Sequence, residues 1–154
     1  MARTWRFEAR IDAPPEDVYR WLVDFRPDDH ARPAFKRGAG VRHDTRGSVR
    51  TVVARDADRV VIEDTWGRQR FRVEAFPDAI HRQVRLVGQY GYEGVWRAEE
   101  ADGGATRLTV TGTMAPRFPV SLFMGLFWRR LERDMRNDFN GHVEDLRESL
   151  RGGT

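Results

Sequence analysis

No cysteine occurs anywhere in the chain, which excludes disulfides, thiolate nucleophiles and cysteine-ligated zinc or iron–sulfur sites together. Lysine is almost missing as well: of 27 basic residues only Lys36 is lysine, which leaves 26 arginines. No run approaches 18 uninterrupted apolar residues, so no transmembrane helix is expected. The first ten residues, MARTWRFEAR, lack the apolar core of a signal peptide, and a cytoplasmic location is the expectation. Enzyme signatures are equally scarce: there is no GxSxG elbow, no Walker loop, no GxGxxG after a strand and no HExxH. The four histidines, His30, His43, His81 and His142, show no metal-ligand spacing, and neither a metal nor another cofactor is expected.

What is present is an ordinary globular composition, with 40% hydrophobic and 33% charged residues in 154, the size of one domain spanning 1–154. The formal charge is +3, with 24 acids interleaved among the arginines and no basic block of five or six. That distribution argues against nucleic acid as a partner.

Residues 4–11, TWRFEARI, alternate strictly, with Trp5, Phe7, Ala9 and Ile11 on one face, as in a strand with one buried side. Pro14 and Pro15 end it. Proline in the first turn and acids at Glu16 and Asp17 then favour a helix over about 14–24, its apolar side marked by Val18, Trp21, Leu22 and Phe25. The polar stretch RPDDHARPAFKRG has room for a second short helix. From Val41 to Met114 roughly six alternating segments follow one another, separated by turn signals such as DADR, PDA and ADGG. Such short connections permit antiparallel hairpins and exclude parallel crossovers. In the first of these segments Val49, Thr51 and Val53 form the alternating set; Ile80 leads a later one, before Val84 and Leu86. Beyond APRFP the period changes to 3.6, and residues about 120–150 read as one helix with a stripe of Trp128, Leu131, Met135, Phe139, Val143, Leu146 and Leu150. Its start, SLFMGLFW, is apolar nearly all round and suits deep burial, a lid or a contact surface, a homodimer included.

The fold class implied is α+β. One twisted antiparallel sheet must cover its apolar face, and only the last helix, about 45 Å long, can span it. A sheet curled around a single helix leaves a gap, so an internal cavity is expected.

The stretch IDAPPEDVYRWL resembles the start of the START-like (helix-grip, SRPBCC) superfamily, and most of all its polyketide cyclase/dehydrase branch. There a first strand ends in an apolar–polar–Ala-Pro-x-Glu-x-Val-aromatic-x-x-Leu pattern, matched here by Ile11, Ala13, Pro14, Glu16, Val18, Tyr19 and Leu22. The order of elements agrees along nearly the whole chain. The resemblance implies a curved sheet around the C-terminal helix and a hydrophobic small molecule bound, cyclised or dehydrated between them. It does not name the ligand. A non-catalytic lipid or quinone carrier, or an adaptor that binds a partner through SLFMGLFW, is the alternative.

Candidate ligand-binding residues are the aromatics on the expected strands, Trp66, Phe71, Tyr90, Tyr92 and Trp96, and Phe127, Leu131, Met135 and Phe139 on the helix. Each could equally be ordinary core. Asp64 is a candidate acid or base if Val60 and Ile62 face inward, and is harmlessly exposed if Val61 does. His43, alternating with Val41, is the second candidate for a catalytic role. His142 lies one turn from Asp138, itself one turn from Asp134, a spacing that suits a metal or proton-relay face or, better, the solvated shoulder of the helix stripe with Arg130 and Arg133 as partners for the acids.

Overall fold

The computed structural model describes residues 2–26, 31–40, 49–66 and 69–152, with the side chains of residues 49, 66 and 69 outside that description. Strand β1 (Arg3–Ile11) leads into helix α1 (Pro15–Leu22) and helix α2 (Pro33–Ala39). Six strands follow: β2 (Val49–Arg55), β3 (Val60–Trp66), β4 (Gln69–Asp78), β5 (Gln83–Gly88), β6 (Glu93–Glu100) and β7 (Thr106–Met114). Helix α3 (Val120–Gly152) is 33 residues long. The strands form one seven-stranded antiparallel sheet in the order β1-β7-β6-β5-β4-β3-β2, open at β1 and β2. This is the arrangement of one antiparallel sheet and a long C-terminal helix that the alternation and the final 3.6 period predict.

Local chemistry sets the turns. Asp78 accepts from the backbone N–H groups of Ile80 and His81 at 3.1 and 3.2 Å, and its carboxylate meets His81 Nδ1 at 2.7 Å. These bonds, the side-chain one first, hold the Asp78 carboxyl below its ordinary pKa. Ile80, expected on a strand, is therefore at the tip of this turn and almost fully exposed. Between β6 and β7, Gly103 and Gly104 both take positive φ, which the ADGG signal anticipates. The GQYGYEG run forms a 3-10 turn between β5 and β6.

The core lies between the inner face of the sheet and α3. Leu108, Val110 and Met114 of β7 meet Phe139, Val143 and Leu146 of α3, with Trp5, Phe7 and Ile11 of β1 alongside. All seven stripe positions expected on α3 belong to this cluster or pack against it. A second cluster joins Val60, Ile62, Ala75 and Val84 to Phe25, just after α1. The short α2 lies on the C-terminal half of α3 because glycines let the two backbones approach. A Cβ on Gly141 would sit 2.7 Å from the Phe35 ring, and one on Gly38 would collide with the carbonyl of Asn140.

One alternation is out of phase with the sequence reading. β2 carries a bulge between Val52 and Ala54, which leaves Thr51 and Val53 exposed. Val52 packs on the second cluster, and Arg50 shares its inner face.

Candidate functional site

Between sheet and α3 is a cavity of about 450 Å³. A volume of that order suits a drug-sized molecule. Its apolar wall is largely aromatic. Trp5 and Tyr92 stack at 5.8 Å with their planes 18° apart. Phe71 meets Tyr92 edge-on at 5.9 Å, and Trp96 leans on Phe139 at 5.5 Å. Leu131 and Met135 complete the helix side.

Glycines determine how these rings lie. Gly112 of β7 pairs with Trp5 on one side and Gly94 of β6 on the other. A Cβ on Gly112 would collide with the Trp5 indole, and one on Gly94 would come within 2.6 Å of the Tyr92 hydroxyl oxygen. The bare backbone lets both rings lie flat on the sheet, which leaves depth above them. Deleting two side chains from the floor thus contributes directly to the void.

The cavity also holds a polar set. Arg50 and Asp64 sit directly opposite on β2 and β3. Their side chains form a two-point ion pair, with Nε to Oδ1 at 3.0 Å and the second guanidinium nitrogen to Oδ2 at 3.2 Å. Each is only 16% exposed. Of the two phases open for β3, the one with Val60 and Ile62 inward is observed, and it carries Asp64 into the wall. On the helix side, His142 Nε2 lies 3.4 Å from Asp138 Oδ2. His142 is buried and ringed by aromatics, Phe35 at 4.9 Å, Trp96 at 5.8 Å and Trp21 at 6.2 Å. Burial first, and the Asp138 carboxylate second, push the Tyr92 phenol well above its ordinary pKa, against a smaller opposing effect of Arg50. Tyr92 therefore stays a neutral hydrogen-bond donor at any physiological pH.

Removing one partner of the Arg50–Asp64 pair leaves the other charge in a poorly hydrated wall. Arg50→Met should destabilise the fold by about 2 kcal/mol, and Arg50→Met combined with Asp64→Leu should recover most of it. Urea unfolding of the two variants checks this, and equal losses in both would contradict it.

Phe71, Tyr92, Trp96, Leu131, Met135 and Phe139 of the sequence candidates all line the cavity, as does Asp64. Two do not. Tyr90 sits in the turn before β6 at φ 58° and is more than half exposed. Phe127 lies on the outer face of α3, because Trp128 and Met124 take the inner positions of that turn. His43 and the Trp66 side chain lie outside the described residues. The sequence reading missed Trp5 and Phe7 as wall residues, although their alternation marks the buried face. It also missed Arg50, hidden by the bulge, and preferred a solvated shoulder to a relay face for His142. His142 belongs not to a solvated shoulder but to a buried face, because α2 folds Phe35 over it.

Among the described residues no three His, Asp or Glu side chains are placed to hold a metal ion, and no helix is long and apolar enough to cross a membrane. A second depression of about 360 Å³, lined by Glu16, Tyr19, Arg20 and Arg82 among others, opens widely to solvent outside the sheet–helix space. The aromatic-walled cavity between sheet and helix is the better candidate.

An open antiparallel sheet holding a long C-terminal helix around such a cavity is the START-like helix-grip fold. Comparison with solved structures agrees over the whole length. TTHA0849 from Thermus thermophilus is 24% identical with a TM-score of 0.68, the match covering 99% of each chain. The Zhui aromatase/cyclase from Streptomyces sp. R1128 is 14% identical with a TM-score of 0.74, covering 99% of this chain and 98% of that one. A START superfamily protein from Mycobacterium smegmatis is 15% identical with a TM-score of 0.57, covering 93% and 98%. No protein-family model matches the sequence, and no curated protein matches it significantly.

Proposed function

We propose that the protein binds a hydrophobic, partly aromatic small molecule in the cavity between the sheet and α3. The observation that carries this reading is the void of about 450 Å³ with stacked aromatic walls and a few convergent polar groups. Flat rings offer a flat ligand large contact area at little conformational cost. The Tyr92 hydroxyl, the Arg50–Asp64 pair and the Asp138–His142 pair would orient its oxygen atoms.

The reading extends to polyketide-like chemistry, the cyclisation or dehydration of a bound chain. The likeness to the aromatase/cyclase supports it at the level of fold. Holding a flexible chain in one reactive shape would supply much of the rate. For proton transfer, Asp138–His142 is better placed than Asp64, which is already bound to Arg50 at two points. The proposed location is the cytoplasm, with no cofactor and no nucleic acid partner. The second reading, a lipid or quinone carrier with no chemistry of its own, is favoured by the exposed apolar start of α3.

Native mass spectrometry of protein purified without detergent tests the proposal. A co-purifying apolar molecule of a few hundred daltons is expected, released on denaturation. If only the bare chain is recovered, and naphthalene- or anthracene-type probes added at saturation bind no more than to bulk protein surface, the proposal fails.

A further inference from the structure

At the start of α3, and in the turn before it, the chain exposes side chains that a folded domain ordinarily hides. Phe118, Leu122, Phe123, Leu126 and Phe127 are each more than half exposed, and Val120 is 38% exposed. On the helix, Leu122, Phe123, Leu126 and Phe127 recur at three- and four-residue steps and share the outer face, while Met124, Trp128 and Leu131 pack inward. This is a contiguous patch, not scattered surface residues.

Its charge is one-sided. From Ala115 to Leu131 the sequence contains no acid and three arginines, Arg117, Arg129 and Arg130. All three are exposed, and none makes an ion pair among the described residues. The acids that follow are engaged elsewhere, Glu132 with Arg136 and Asp134 with Arg133. Arg3 adds a further cation beside the patch, its guanidinium over the Trp128 ring at 5.7 Å.

Large apolar side chains rimmed by unpaired arginines are complementary to a bilayer with anionic headgroups. We infer that the 117–130 segment docks reversibly on an anionic membrane surface, with Leu122, Phe123, Leu126 and Phe127 entering the headgroup–acyl boundary and Arg117, Arg129 and Arg130 meeting lipid phosphates. A second copy of the chain fits less well. A two-fold contact sets the same patch against itself, and here that would face arginines with arginines and supply no acid. The patch adjoins the cavity: Met114 and Leu131, at the two ends of the acid-free stretch, both line it. The inference does not depend on what the cavity holds.

Co-sedimentation with vesicles tests it, using phosphatidylcholine alone and phosphatidylcholine with about one part in four phosphatidylglycerol. The wild-type protein should sediment with the anionic vesicles and at least about tenfold less with the neutral ones. Arg129→Gln and Arg130→Gln should each weaken binding about fivefold. Leu126→Ser combined with Phe127→Ser should weaken it at least about tenfold. All these side chains are solvent-exposed, so far-UV circular dichroism should stay unchanged and separate lost docking from lost folding. Absence of wild-type binding to anionic vesicles overturns the inference, as does a serine variant that binds as well as wild type. A light-scattering dimer that the serine variant dissolves, with no vesicle binding, overturns it in favour of a second copy.

Discussion

Phe139→Ala should lower the stability of the protein by about 3–5 kcal/mol. Phe139 is 3% exposed, and its ring meets Phe7 at 5.8 Å and Trp96 at 5.5 Å. It is the point at which α3 grips both β1 and β6. Truncation removes the transfer free energy of a buried ring and leaves a hole that cannot collapse, because it opens into a void already there. The neighbouring rings lose contacts without gaining new ones. Urea unfolding followed by tryptophan fluorescence measures the change, and a loss below about 1 kcal/mol would mean that α3 is not held through this ring.

The second large effect is on binding. Met135→Trp should abolish uptake of a hydrophobic probe, with affinity reduced at least about tenfold, while costing the fold less than about 1.5 kcal/mol. Met135 is partly buried on the cavity side of α3, between the turns that carry Leu131 and Phe139. Its flexible thioether can yield its place to an indole, which would occupy space otherwise open to a guest. In a tightly packed interior the same change would overpack the core and destabilise it by about 1–3 kcal/mol. The two outcomes thus separate a cavity from a filled core. Fluorescence titration with an anilinonaphthalene probe, paired with thermal unfolding, reads both.

Much of the fold is legible in the sequence because it rests on periodicity. The strict alternation of residues 4–11, the short polar turns after it and the three- and four-residue steps from Trp128 to Leu150 leave few other ways to bury the apolar face. What escapes that reading depends on partners far apart in the chain. The bulge at Val52 and Ala54 inverts the face of β2 and brings Arg50 inside, where Asp64 of the next strand neutralises it. No local pattern announces that inversion. His142 looks like a polar shoulder on α3 and is buried because Phe35 of α2, more than one hundred residues earlier, lies over it, with Trp21 and Trp96 alongside.

The site was therefore half visible. Phe71, Tyr92, Trp96 and the α3 positions fall in the cavity wall because their phase follows from the same alternation that builds the sheet. Tyr90 leaves the strand through a left-handed turn, and Phe127 turns outward with the exposed apolar face. The depth of the cavity was not readable at all. It comes from Gly94 and Gly112 lying side by side in the register of β6 and β7, under Tyr92 and Trp5. Register is a property of the assembled sheet, not of either strand.

The central claim is that the space between the sheet and α3 admits a hydrophobic guest. A crystal structure of the protein soaked with a fused-ring phenol such as naphthol tests it most directly. Density for the guest among Phe71, Tyr92, Trp96 and Met135, with its hydroxyl within hydrogen-bond reach of Tyr92, Arg50 or His142, is the predicted result. Side chains closed over that space, with the guest absent or bound only on the outer surface, would contradict it.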